Sequence, residues 1–137
     1  MVGIVIATHC RVASALAEAA TVVLGSQDAL ATVDLAPEDD RERGWGKLRD
    51  AVTVADRGDG VLVMVDVLGG TPSNLALALL AEHQVEVLTG VNLPMVLRAL
   101  QHRESTPLDA LARDVLEYGR RNVSSAGVWL RPAGDAP

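Results

Sequence analysis

Two stretches of this chain are apolar at every position up to their ends: Val2–Ala7 (VGIVIA) and Val61–Asp66 (VLVMVD), the second closing on a carboxylate. A strand with one wet face alternates apolar and polar residues. Runs without that alternation must be covered on both faces, as the central strands of a parallel sheet are. The intervening sequence supplies the cover. Val12–Leu24 is alanine-rich and stops at Gly25, a helix with a glycine terminator. Leu30–Leu35 reads as a short second strand. Pro37 to about Arg57 opens with Pro-Glu-Asp-Asp, which places proline in a first helical turn and acids at the positive end of the dipole. Gly44 and Gly46 predict an irregular start to that helix. Thr71 is placed to cap a further helix with Pro72 at its first position, its body running Leu75–His83. Val85–Leu88 is a fourth strand, Leu93–His102 and Pro107–Arg121 are helices, and Val123–Leu130 is read as a final strand. Regular alternation of strand and helix predicts a single open, mostly parallel α/β sheet flanked by helices and joined by right-handed crossovers. One domain is expected over 1–131, with 132–137 as a flexible tail.

The chain has 137 residues, a normal length for one domain, and 49% of them are apolar while only 2% are aromatic. Its core is therefore built from Val, Leu, Ile and Ala. So few rings exclude the stacking platforms used to bind single-stranded nucleic acid. Net charge is −6, and the basic residues are scattered, so no basic stripe exists to follow a duplex. Nucleic acid is not an expected partner. The single cysteine cannot form an internal disulfide, and no Cys/His set has zinc spacing, so neither a metal nor a cofactor is expected. The opening apolar run is too short to span a bilayer and has no basic leader, which predicts a cytoplasmic location.

In open α/β sheets ligands bind beyond the carboxyl ends of the strands. The residues there are Thr8, His9, Cys10 and Arg11 after the first strand, and Asp66 to Thr71 after the third. Thr89, Gly90 and Asn92 follow the fourth. If the first strand lies beside the third, His9 and Asp66 become neighbours. A carboxylate that accepts one ring N–H fixes the tautomer and leaves the other nitrogen as a nucleophile or base. The helix after His9 is expected to offer unpaired N–H groups to an anion, and Gly69-Gly70 to let backbone approach closely. A nucleophilic nitrogen beside an anion cradle suits reversible phosphoryl transfer. His83 and His102 stand at helix ends, where a cation suits the dipole, and are read as structural. Cys10 is placed where a thiol can be acidified, but a lone cysteine is more often a small buried apolar residue, the reading adopted here.

Three blocks of sequence, in order, carry a family resemblance: Met1–His9, Gly58–Asn74 (GDGVLVMVDVLGGTPSN) and Thr89–Met95 (TGVNLPM). Together they resemble the IIA domain of the mannose-type (mannose/fructose/sorbose) phosphoenolpyruvate-dependent phosphotransferase system. The resemblance implies that His9 accepts a phosphoryl group from phospho-HPr and passes it to a IIB partner. That partner would connect it to a membrane permease complex for sugar uptake. It implies that Asp66 pairs with His9 and that Gly69, Gly70 and Thr71 line the site. It also implies an extra antiparallel strand near the C-terminus, for which Val123–Leu130 is the candidate, and a homodimer that in some members exchanges this strand. Cys10 departs from the family pattern, where glycine follows the histidine. Leu68 and Ser73 stand where the loop is often aromatic.

A stand-alone regulatory IIA protein, whose histidine phosphorylation controls partner binding, is the alternative to a transport component. A receiver-like domain phosphorylated on Asp66 would need acids after the first strand to hold Mg²⁺ and a lysine after a later strand; the only lysine, Lys47, lies in a helix. The phosphotransfer subunit of dihydroxyacetone kinase fits the Gly69–Asn74 block less well. A cysteine hydrolase built on Cys10 would need a base other than its immediate neighbour His9.

Overall fold

The computed structural model of the protein describes residues 1–67 and 70–131. The elements follow the expected alternation: β1 (Gly3–His9), α1 (Val12–Leu24), β2 (Leu30–Leu35), α2 (Arg41–Ala55), β3 (Val61–Val65), α3 (Thr71–Leu79), β4 (Val85–Leu88), α4 (Leu93–His102), α5 (Leu108–Arg121) and the short α6 (Ala126–Trp129). The four strands form one sheet in the order β2-β1-β3-β4, and every pairing is parallel.

Both apolar runs are central strands, and the period of two sorts their side chains between two cores. Ile4, Ile6, Leu62 and Met64 face α1, α4 and α5, whereas Val5, Ala7, Val61, Val63 and Val65 face α2 and α3. All nine are fully buried. Double coverage is thus the reason these strands tolerate no polar residue before their ends.

Two expectations need correction. Gly44 does not disturb the start of α2, which runs unbroken from Arg41 with Asp40 as its cap, Oδ1 accepting the Arg43 N–H at 2.7 Å. A Cβ on Gly44 would stand 2.9 Å from Leu75 Cδ1, so the missing side chain is what lets α2 approach α3. Val123–Leu130 does not form the extra strand. After α5 the chain closes its bonds locally, with the Val128 N–H donating to the Ser125 carbonyl at 3.1 Å, and makes the single turn α6. The tail expected at 132–137 lies outside the described residues. Among the described residues no helix is long and apolar enough to cross a membrane.

Candidate active site at the carboxyl edge of the sheet

β1 and β3 are adjacent, so the residues that end them meet. His9 Nδ1 lies 2.9 Å from Asp66 Oδ2, and the His9 backbone N–H donates to the same oxygen at 3.1 Å. The Val67 N–H donates to the other carboxylate oxygen at 3.0 Å. The turn after β4 braces this end of β3 from the far side: Gly90 N–H donates to the Asp66 carbonyl and Val91 N–H to that of Val65, at 3.1 and 3.0 Å. Gly90 supplies the turn with a φ of +73°, and Asn92 caps α4 through Met95 N–H at 3.0 Å. Thr89–Asn92, a candidate by position, therefore acts as a support for Asp66.

The two partners differ in exposure: the His9 side chain is 50% exposed and that of Asp66 16%. Burial pushes the Asp66 pKa up, but the hydrogen bonds from the His9 ring and His9 N–H, the attraction of the ring and the Val67 N–H outweigh it. The carboxyl is held below its ordinary 3.8. Asp66 is consequently a fixed anion at neutral pH, and it suits the tautomer with the proton on Nδ1, in which the Nε2 lone pair is free.

Gly70 packs against the ring itself. A Cβ there would stand 2.7 Å from His9 Cε1 and 3.4 Å from Nε2. Gly70 is also the N-cap of α3 and has no side chain with which to cap it, so that nine-residue helix begins against the His9 ring. Thr71, expected as the cap, is instead the first helical residue. It lines a cavity of about 220 Å³ together with His9, Cys10, Leu35, Pro37 and Asp39. The Asp39 carboxylate holds the wall of this cavity in place, accepting from Ala36 N–H at 2.9 Å and Lys47 Nζ at 2.6 Å. Ser73 Oγ is buried with no hydrogen-bond partner among the described residues. Gly69, the remaining loop candidate, lies outside the described residues.

The start of α1 is not the open anion cradle expected. Buried Thr8 Oγ1 accepts the Ala13 N–H at 2.7 Å, and Asp34 Oδ1 accepts the Ser14 N–H at 3.1 Å. The other Asp34 oxygen takes the Ser14 hydroxyl. Two of the helix's free donors are thus used, and a carboxylate already occupies the positive end. Cys10 is a second correction: it is exposed, not buried. Its φ of +48° is left-handed, the region glycine enters freely, and its N–H donates to the Leu35 carbonyl at 2.9 Å. The bend that turns the chain out of β1 requires this conformation, which is the physical sense of a glycine after the histidine. His83 does not end a helix as expected, because α3 stops at Leu79; it stands in the turn before β4, 3.9 Å from Glu82, whereas His102 does end α4. Among the described residues no three His, Cys, Asp or Glu side chains gather so as to hold a metal ion.

Fold and site together define an α/β protein that presents a carboxylate-held histidine at the carboxyl edge of a parallel sheet, next to a helix N-terminus. The family model EIIA-man, described as "PTS system fructose IIA component", matches residues 3–116. The chain belongs to this IIA family of the sugar phosphotransferase system, in which phosphoryl transfer is the general role. It is 33% identical over 126 residues to the mannose-specific EIIAB component of Escherichia coli, covering 90% of this chain but only 39% of that protein. It is 30% identical over 116 residues to the fructose-specific EIIA component of Bacillus subtilis, covering 84% of this chain and 80% of the relative. Among solved structures, the mannose/sorbose-specific IIA subunit from Enterococcus faecalis superposes with a TM-score of 0.77 at 25% identity, over 90% of this chain and 93% of that one. An EIIA component from Streptococcus agalactiae shares the fold with a TM-score of 0.86 over 93% and 98%.

Proposed function

We propose that the protein is a phosphocarrier in which His9 Nε2 takes a phosphoryl group from phospho-HPr and gives it to a IIB partner. The carrying observation is the 2.9 Å contact of Nδ1 with Asp66, which leaves Nε2 as the free nitrogen at an exposed edge. The Nε2 lone pair attacks phosphorus as the bond from phosphorus to the donor's nitrogen breaks, that electron pair returning to the donor. The phosphorylated ring keeps its Nδ1 proton and gains positive charge, which Asp66 offsets. N–H groups at the start of α3, beside the ring, would receive the phosphoryl oxygens. Onward transfer to IIB reverses these steps and would link the chain to a sugar permease.

The proposal includes a homodimer. Among the described residues no strand pairs with the outer edge of β4. Val123, Trp129 and Leu130 are 73%, 75% and 86% exposed, more apolar surface than so short a segment normally leaves in water. A second copy that accepts this segment on β4 would cover both.

Incubation with phosphoenolpyruvate, enzyme I and HPr, read by intact mass, tests the carrier reading. One acid-labile phosphoryl group on the wild type and none on His9→Ala is the expected result. Labelling of His9→Ala, or none of the wild type, overturns it.

A further inference from the structure

A carboxylate stands in the wall of the cavity that adjoins the reacting ring. Asp39, His9 and Thr71 line the same space of about 220 Å³, and the Asp39 side chain is only 5% exposed, so water screens its charge poorly. Part of its role is to close a turn. Asp39 N–H donates to the Ala36 carbonyl at 3.1 Å, and Ala36 N–H donates back to Asp39 Oδ2 at 2.9 Å. That turn needs an acceptor and not a charge. The charge is answered by Lys47, the one lysine of the chain, whose Nζ donates to the same oxygen at 2.6 Å. Lys47 lines a different depression, with Ala31 to Asp34 of β2, and so reaches Asp39 without entering the cavity at His9. Its hydrogen bond is the largest reason that the Asp39 carboxyl lies below its ordinary 3.8. The other charges nearby are weaker or already engaged. Arg43 Nη1 stands 3.9 Å from Asp39 Oδ1, Arg41 lines the adjoining depression, and the Asp40 carboxylate caps α2.

We propose that Lys47 is a positioning residue for phosphoryl transfer: by neutralising Asp39 it keeps a bare negative charge out of the cavity beside the phosphoryl group on His9. The inference rests on the carrier reading above. A phosphoryl group adds up to about two negative charges. Placed on Nε2 it meets the lining of that cavity, where a lone buried carboxylate would repel it and an ion pair does not. Lys47 therefore sets how readily the ring holds phosphorus, acting through Asp39 and touching neither ring nor phosphoryl group.

The test brings phosphoryl exchange with HPr to equilibrium from both directions and reads the phosphorylated fractions by intact mass. The equilibrium constant belongs to the separate proteins, so any change in how the two dock cancels. Lys47→Met is expected to lower the constant several-fold, and Lys47→Arg to hold it near the wild-type value. Asp39→Asn keeps an acceptor for Ala36 N–H and frees the lysine, so it is expected not to lower the constant; combined with Lys47→Met it should restore the wild-type value. A purely structural pair predicts the opposite pattern, with Asp39→Asn and Lys47→Met both lowering the constant and the double variant no better than either. That pattern, or a Lys47→Met constant within twofold of a labelled wild type, overturns the role of Lys47 alone. A wild type that phospho-HPr fails to label overturns the carrier reading, and the role of Lys47 with it.

Discussion

Gly70→Ala isolates the packing of the His9 ring from every other property of the site. The backbone at Gly70 has φ −78° and ψ 171°, extended geometry that alanine adopts freely, so no conformational cost enters. What enters is a methyl group 2.7 Å from Cε1, where carbon atoms in contact sit about 3.5–4.0 Å apart. The ring must tilt or retreat by roughly 1 Å. Because His9 is 50% exposed it can do so toward solvent, and fold stability should change by less than about 1 kcal/mol. The bond to Asp66 has no such slack. Stretched from 2.9 Å by a comparable amount it passes the limit of a useful hydrogen bond. A bond to a charged group contributes about 1.5–3 kcal/mol, and about 1.4 kcal/mol is tenfold in rate, so transfer from phospho-HPr should fall about 10- to 100-fold. Initial rates by intact mass measure the loss, and ¹⁵N NMR of the ring reports whether Nδ1 has left Asp66. Gly46→Ala is the control, since nothing stands within 4 Å of the added atom. A Gly70→Ala rate within twofold of wild type, or a slow variant whose Nδ1 still bonds Asp66, refutes the reasoning.

Three further outcomes follow from the same geometry. Cys10→Gly relieves a left-handed residue and should gain about 1 kcal/mol, seen as a rise of a few degrees in Tm with transfer retained; an unchanged Tm removes the strain argument. Thr8→Val leaves the buried Ala13 N–H without its acceptor and should cost about 1–3 kcal/mol in urea unfolding, whereas a loss below about 0.5 kcal/mol means that α1 finds another cap. Asp66 has a lowered folded pKa, so the stability its ionised form contributes is present above the ordinary 3.8 and is lost as pH falls through the lowered value. A carboxyl titration by ¹³C NMR should place its midpoint below 3.8, and a midpoint at or above it contradicts the pairing described.

The sequence made legible whatever depends on neighbours along the chain. Strands buried on both faces show as apolar runs, and the end of α1 shows as Gly25. The site was legible one step further, because the ends of β1 and β3 meet once those strands are adjacent, and that adjacency is the simplest order for two fully buried strands. What escaped depends on neighbours across space. Asp34 sits opposite Thr8 in the parallel register, and only that pairing lets a β2 carboxylate close the start of α1. Gly70 reads as turn chemistry until the imidazole is found against its Cα. Gly44 reads as a helix breaker until Leu75 is found on its face. Val123–Leu130 shows the same limit from the other side. Its residues favour a strand, but within one chain the segment turns back on itself, the Val128 N–H donating to the Ser125 carbonyl, and makes a single helical turn instead. The apolar surface left on that turn therefore makes a testable demand on a second copy: if removal of 123–137 leaves the oligomeric state in solution unchanged, the edge of β4 is not where two chains meet.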